Sequence, residues 1–354
     1  MNFAVLVINP GSTSTKVGVW SPEGPLLQKT VTHPAEELAK YPRVADQFDL
    51  RLGAIQEAVA EWLDGRKLSA VVGRGGPLRP LEGGTYFITD RMLEELRAAR
   101  WSNHASNLGA IIAHYLAGRL DIPCFVVDPV TVDEFTPLAR VSGLPEIPRK
   151  CRSHALNLKA TARLAAAQIG KPLDQTRFVV AHMGGGLSIA ALDGGRIADV
   201  NDGLLGMGPF SPERAGALPI GALVKLSYSG KHTEEQLLRR LSTEAGLKAY
   251  LGTSDCVEVE RRIAGGDSEA RLYYDAMLYQ IAKEIGAAAA VLQGRLDGVI
   301  LTGGMANSDY LVETLKAYVA FLGRIFVIPG EKELEALAQG AFRVLLGQEE
   351  AKAY

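Results

Sequence analysis

One short plan occurs twice in this chain and narrows its fold more than any other feature. Val5 to Ile8 is an apolar run that ends in the loop Asn9-Pro10-Gly11-Ser12-Thr13-Ser14, after which Thr15 to Trp20 reads as a second strand, closed by the turn Ser21-Pro22-Glu23-Gly24. Phe178 to Ala181 likewise runs into His182-Met183-Gly184-Gly185-Gly186, then a strand from Leu187 to Leu192 and the turn Asp193-Gly194-Gly195. Each half also holds a second glycine loop: Ala70-Val71-Val72 leads into Gly73-Arg74-Gly75-Gly76, and Val299-Ile300-Leu301 into Thr302-Gly303-Gly304. Self-similarity of this kind points to a duplicated α/β domain.

Between the loops, strands alternate with amphipathic helices. Helices are expected over Leu50 to Leu63, Asp90 to Ala99, Asn107 to Arg119, Leu156 to Ile169, Glu234 to Leu241, Ser268 to Leu292 and Tyr310 to Phe321, with strands at Cys124 to Val127 and Ile325 to Ile328. This order indicates α/β lobes with partly parallel sheets, made mixed by the opening hairpins. Gly143, Pro145 and Pro148 interrupt the pattern and suggest a boundary, giving a first lobe of 1–145 plus 332–354 and a second of 146–331. The stretch Glu331 to Leu346 reads as a helix that returns to pack on the first lobe.

Charge and cysteine usage limit the partners. Lys+Arg 38 against Asp+Glu 40 leaves a net charge of -2, so no basic field draws the chain to nucleic acid or to an anionic membrane. A small ligand is the better partner. Cys124, Cys151 and Cys256 are far apart and form no CxxC pair, which speaks against a disulfide framework or a zinc site and suits a reducing, cytoplasmic setting. The opening apolar run is too short for a signal sequence or a membrane span.

Neither GxxxxGK[ST] nor GxGxxG opening a βαβ unit occurs, so phosphate binding requires another design. Loops of small residues between strands bring backbone N–H groups close to a phosphate. The loops at Gly11 and at Gly184, Gly185 and Gly186 qualify, although each alone also reads as an ordinary hairpin connection. Ser12 and Ser14 add hydroxyls beside Lys16, and Asn9 ends its strand with an oxygen suited to a hydrated Mg²⁺. Gly303, Gly304 and Asn307 join a buried strand to a helix, where open α/β sheets bind nucleotides; the plainer alternative is a helix start capped near Asn307 or Ser308. Arg74 and Asp128 sit at strand ends that open on a crevice, and His104, His154 and Arg214, the last in Ser211-Pro212-Glu213-Arg214-Ala215-Gly216, complete the basic candidates. Most arginines are surface charges.

The strings LVINPGSTSTK, HMGGGLS, SPERAG and LTGGMAN together resemble the acetate and butyrate kinases, from residue 1 to the C-terminus. That resemblance implies a duplicated two-lobe actin/Hsp70/sugar-kinase-like fold with ribonuclease H-like lobes, the first lobe on the acid and metal side and the second on the nucleotide side. It favours butyrate kinase, because acetate kinases usually carry HLGNG where this chain has His182 to Gly186, and VVHGG where it has VVGRGG. By matching position it implies that Asn9 helps bind Mg²⁺, that Ser12, Ser14 and Lys16 lie by the phosphates, that His154 contacts the transferring phosphoryl group and that Arg214 is the catalytic arginine. Asp128 and His104 match further active-site positions. The family's other arginine falls at Val71, which leaves Arg74 as a nearby substitute. Its metal-linked glutamate falls at Lys332, which leaves Glu331 and Glu333 as candidates.

The activity so implied is reversible phosphorylation of butyrate, or a similar short or branched-chain fatty acid, by ATP to give acyl phosphate and ADP in a homo-oligomer. Acetate or propionate is the alternative substrate. A nucleotide-dependent regulatory or chaperone-like protein is the alternative of another class, since fold alone does not fix function.

Overall fold

The computed structural model describes residues 3–354. Met1 and Asn2, which belong to the expected first lobe, lie outside the described residues. The chain forms two compact units, one running to Asp133 and resuming at Lys332–Tyr354, the other spanning Glu134–Glu331. The stretch 144–149, expected at the boundary, lies within the second unit.

The first unit is built on a six-stranded mixed sheet of β1 (Val5–Pro10), β2 (Ser14–Ser21), β3 (Gly24–Thr32), β4 (Ala70–Gly73), β5 (Thr85–Phe87) and β6 (Cys124–Val127), in the order β3-β2-β1-β4-β6-β5. β1, β2 and β3 form an antiparallel meander, β4 joins β1 in parallel, and β6 joins β4 in parallel. The second unit carries a five-stranded sheet of β7 (Arg177–Met183), β8 (Leu187–Asp193), β9 (Arg196–Val200), β10 (Gly298–Gly303) and β11 (Ile325–Pro329), in the order β11-β10-β7-β8-β9. Here too a meander, β7-β8-β9, is extended in parallel by β10 and then β11. The duplication is therefore topological, with β5 as an antiparallel edge strand found in the first sheet alone.

Register places the glycine loops. Pro10 pairs with Thr15 and Met183 with Leu187, so β1 and β2 are pinned on either side of Gly11–Ser14, and β7 and β8 on either side of Gly184–Gly186. The central strands are covered on both faces, which is why they read as unbroken apolar runs: all residues of β1, β4 and β10 are buried. Helices Phe48–Leu63 and Asn107–Leu120 cover the first sheet, and Ala155–Gln168 and Ser268–Val291 the second. Helix Glu333–Leu345 lies on β1, β4 and β6, which brings its first residue to the end of β1.

Elements that the sequence hid are the exposed or short ones. β3 is exposed along most of its length and lacks apolar alternation, and β5 has three residues. In and just after the helix Ser268–Val291, the alanine-rich run Ile285 to Leu292 buries Ile285, Ala288, Ala289 and Leu292 and exposes Ala287, Ala290 and Val291. Among the described residues, no helix is long and apolar enough to cross a membrane, and none of the three cysteines is in a disulfide.

Candidate active site

In the first unit, the end of β1, the end of β4 and the start of helix Glu333–Leu345 bring three candidates together. Asn9 is buried, and its Nδ2 donates to Glu333 Oε2 at 2.6 Å. Arg74 is 6% exposed and reaches Glu333 Oε1 at 3.5 Å through Nη2, while its buried Nη1 has no hydrogen-bond partner among the described residues. The Arg74 amide donates to Ile8 O at 2.8 Å, which fixes the loop after β4 against β1. Glu331, the other metal candidate, is exposed and is the last residue of the second unit.

Asp128 follows β6 with its side chain fully buried and its backbone left-handed, at φ 38. Asp tolerates that region better than most residues, and such backbone strain gathers at functional sites. The geometry is held by a reciprocal pair: Gly84 N–H donates to Asp128 Oδ1 at 2.7 Å, and Asp128 N–H donates to Gly84 O at 3.0 Å. His104 accepts at Nδ1 from the Ser106 amide at 3.2 Å, which leaves the ring proton on Nε2. Partial burial, and then the Arg74 charge, hold its pKa below the ordinary 6.5, so the ring is neutral at pH 7.

The loop Gly11–Ser14 is shaped from beneath by Arg51, a residue the sequence did not single out. Its guanidinium donates to Ser12 O at 3.3 Å, Ser14 O at 3.2 Å, Thr15 Oγ1 at 3.0 Å and Gln47 Oε1 at 3.0 Å. Ser12 itself is exposed, and Ser14 and Lys16 are half-buried.

In the second unit, His154 stands immediately before helix Ala155–Gln168. Its amide donates to Ser188 Oγ at 3.3 Å, and its Nδ1 lies 2.9 Å from the same oxygen. Ser188 Oγ therefore engages Nδ1 and leaves Nε2 as the ring nitrogen it does not touch. The ring stacks on His182 at 4.1 Å between centroids and 19° between planes. His182 is buried rather than at the loop surface, and its Nδ1 donates to Asn157 Oδ1 at 2.9 Å. Asn157 in turn meets Thr302 Oγ1 at 3.3 Å and Gly330 O at 3.5 Å, which ties His154 to the end of β10 and to the residue after β11. Asn157 and Ser188 carry no motif of their own; the one available signal was that Asn157 follows His154 by a helical turn.

Arg214 is delivered by a tight turn. Ser211 Oγ donates to Gly185 O at 2.6 Å and accepts from Arg214 N at 3.1 Å. Arg214 Nη1 donates to Gly203 O, and a Cβ at Gly186 would fall on the guanidinium, so that glycine makes room for this arginine. Arg214 Nε is buried with no hydrogen-bond partner. Burial lowers the pKa of the guanidinium, against the pull of Glu213 and Asp202. Gly184 and Gly185 stay open, half-buried and exposed respectively.

Gly303, at φ 89, lies so close to Met183 that a side chain there would strike the β7 backbone. Gly304 is exposed, and Asn307 Nδ2 donates back to Gly304 O at 2.8 Å, closing the loop on itself. Ser308 caps the helix that follows, Asp309–Val319, by accepting from Leu311 N.

The model of the acetokinase family matches residues 148–348, more than half of the chain. Among solved structures, an acetate kinase from Porphyromonas gingivalis superposes with a TM-score of 0.79 at 20% identity, over 97% of this chain and 100% of that one. A propionate kinase from Francisella tularensis subsp. tularensis SCHU S4 gives 0.74 at 19% identity over 96% and 98%. An acetate kinase from Entamoeba histolytica gives 0.75 at 17% identity over 96% and 99%. At these identities the likeness establishes the fold, that of the actin, Hsp70 and sugar-kinase class, and with the family match it leads to one assignment: the chain belongs to the acetokinase family.

Proposed function

We propose that the protein is an ATP-dependent carboxylate kinase that converts a short-chain fatty acid and ATP to an acyl phosphate and ADP. The observation that carries this reading is a pair of guanidinium groups, Arg74 buried and Arg214 half-buried, each holding a buried nitrogen with no hydrogen-bond partner among the described residues. Buried donors are nearly always satisfied, and charged ones most of all, so an unfilled guanidinium position suits an anionic ligand.

A fatty acid carboxylate, with a pKa near the roughly 4 to 5 of Glu, is already ionised at pH 7. No general base is required. A carboxylate oxygen attacks the γ-phosphorus, the bond from that phosphorus to the bridging oxygen breaks, and the electron pair leaves with ADP. The protein's task is alignment and stabilisation of charge on the three phosphoryl oxygens. Arg214 supplies a fixed cation, and His154 offers Nε2 for a hydrogen bond to the same group. Gly184 and Gly185 offer an open backbone to phosphate, and Arg74 offers Nη1 to an anion.

Asn9 and Glu333 fit Mg²⁺, which takes one or two protein oxygens and completes its shell with water and phosphate oxygens. Asn9 Nδ2 donates to Glu333 Oε2 at 2.6 Å, so the carboxylate lies beside the amide at the end of β1. When bound, Mg²⁺ would offset the negative charge of the nucleotide phosphates. Asp128, buried and pinned by Gly84, would orient water on that side.

For the acid, the solved neighbours are named for acetate and propionate, and these come first. Butyrate is the second reading, favoured by His182-Met183-Gly184-Gly185-Gly186 and by Val71 to Gly76 in place of the usual acetate kinase strings. Hydroxamate-coupled acyl phosphate formation with ATP and Mg²⁺ over acetate, propionate, butyrate, isobutyrate and valerate tests both levels. A maximum at acetate or propionate supports the first reading, and one at butyrate or isobutyrate the second. No acid-dependent product overturns the kinase and favours a nucleotide-binding regulator.

A further inference from the structure

Arg51 is fully buried on helix Phe48–Leu63, and among the described residues no carboxylate pairs with it. A buried cation without a counter-charge is costly, and proteins rarely keep one unless it is paired. Every acceptor around this one is neutral: Ser12 O, Ser14 O, Thr15 Oγ1 and Gln47 Oε1. Two of them are carbonyls of the loop Gly11–Ser14. The remaining carbonyl between them, Thr13 O, accepts from His33 N at 2.8 Å, and Ser14 O also accepts from Gly11 N at 2.7 Å. Three successive carbonyls are thus turned back into the protein. Among the described residues the Ser12 and Thr13 amides donate to no protein acceptor.

From this geometry we infer that Arg51 is a positioning residue for a phosphate-binding loop, holding the Ser12 to Ser14 carbonyls inward so that the loop presents amides and positive potential to a phosphate anhydride or ester. The guanidinium never touches the ligand. It acts through the loop, and the anion on the far side supplies the counter-charge missing inside. A lysine would keep the charge but, as a point donor, would not span two carbonyls as the planar fork does. The inference rests on the kinase reading for the identity of the phosphate compound, ATP or acyl phosphate, and not for the loop geometry.

The test uses the full chain with Arg51→Met and Arg51→Lys. Unliganded Tm, calorimetric Kd for MgATP and for acetyl phosphate, and KM for ATP and for the acid are measured on each. The expected result is an affinity for one phosphate ligand or both weaker by on the order of tenfold to a hundredfold in Arg51→Met. Arg51→Lys falls between, and KM for the acid is unchanged. The MgATP and acetyl phosphate arms decide which phosphate the loop serves. A folded variant that binds both as tightly as wild type overturns the inference while leaving the kinase reading intact, since a merely structural arginine lowers Tm alone. Should Arg51→Met fail to fold, Arg51→Lys carries the same test with the same overturning result. Wild-type protein that binds neither ligand overturns the inference and the kinase reading together, whereas binding without acid-dependent turnover overturns the kinase reading and leaves the loop assignment supported.

Discussion

Arg214 occupies the space that a side chain at Gly186 would fill, with Nη1 on the Gly203 carbonyl and Nε buried without a partner. The glycine of the second loop therefore serves the arginine at least as much as any phosphate. Gly186→Ala is expected to displace the guanidinium and lower kcat by on the order of 10³-fold, as far as Arg214→Ala does, by analogy with catalytic arginines. The double variant should be no worse than either single one, because both remove the same group. Steady-state kinetics on the four proteins decide this, and additive losses would separate the two residues.

Glu333 and Glu331 lie two positions apart, yet their surroundings differ. Glu333 meets both Asn9 and Arg74, whereas Glu331 is exposed on the other unit. Glu333→Gln should raise the Mg²⁺ concentration for half-maximal rate by about tenfold or more, the scale seen when a metal site loses a supporting group. Glu331→Gln should leave it unchanged. The opposite ranking in an Mg²⁺ titration would move the metal away from Asn9.

How much of this was legible follows the chemistry of each residue. The paired glycine loops announced the duplication because register and turn length act locally, over neighbouring residues. Arg214 came from a matched string and His154 from a matched position. Arg51 did not, because its partners are backbone carbonyls and hydroxyls far along the chain, and one arginine in an amphipathic helix ordinarily reads as a surface charge. Asn157, Ser188 and Ser211 are small polar residues whose importance is purely positional. β3 escaped because an exposed edge strand has no buried face to impose alternation.

The same loop predicts a pH dependence. His33 is buried, with Nε2 2.9 Å from Thr15 Oγ1, an oxygen that also accepts from Arg51. Burial first, and then the Arg51 charge, hold the His33 pKa below 6.5, as burial and Arg74 do for His104. Because the unfolded chain takes up these protons first, stability is full above about pH 6.5 and is lost as pH falls through the lower folded-state values. Denaturant midpoints at pH 7.5, 6.5 and 5.5 should fall in that order, and His33→Gln should flatten the slope. A midpoint that is level or rising toward pH 5.5 would contradict the assignment.

Asn157 joins structure to turnover most directly, since it bears on His182, and His182 bears on His154. Replacing it with alanine takes the acceptor Oδ1 from the His182 Nδ1–H and leaves the Thr302 hydroxyl only the longer bond to Gly330 O at 3.5 Å. Each unsatisfied buried group costs about 1 to 3 kcal/mol, so Asn157→Ala should lower the unfolding free energy by an amount of that order. The kinetic consequence separates support from mere packing. If His182 holds the His154 ring by stacking, freeing it lets His154 turn away from Ser188, and kcat falls while KM for the acid stays put. Equilibrium denaturation and steady-state rates on one preparation give both quantities. A loss of stability with kcat intact would mean that Ser188 alone fixes His154, and that the stacked pair is a feature of the core.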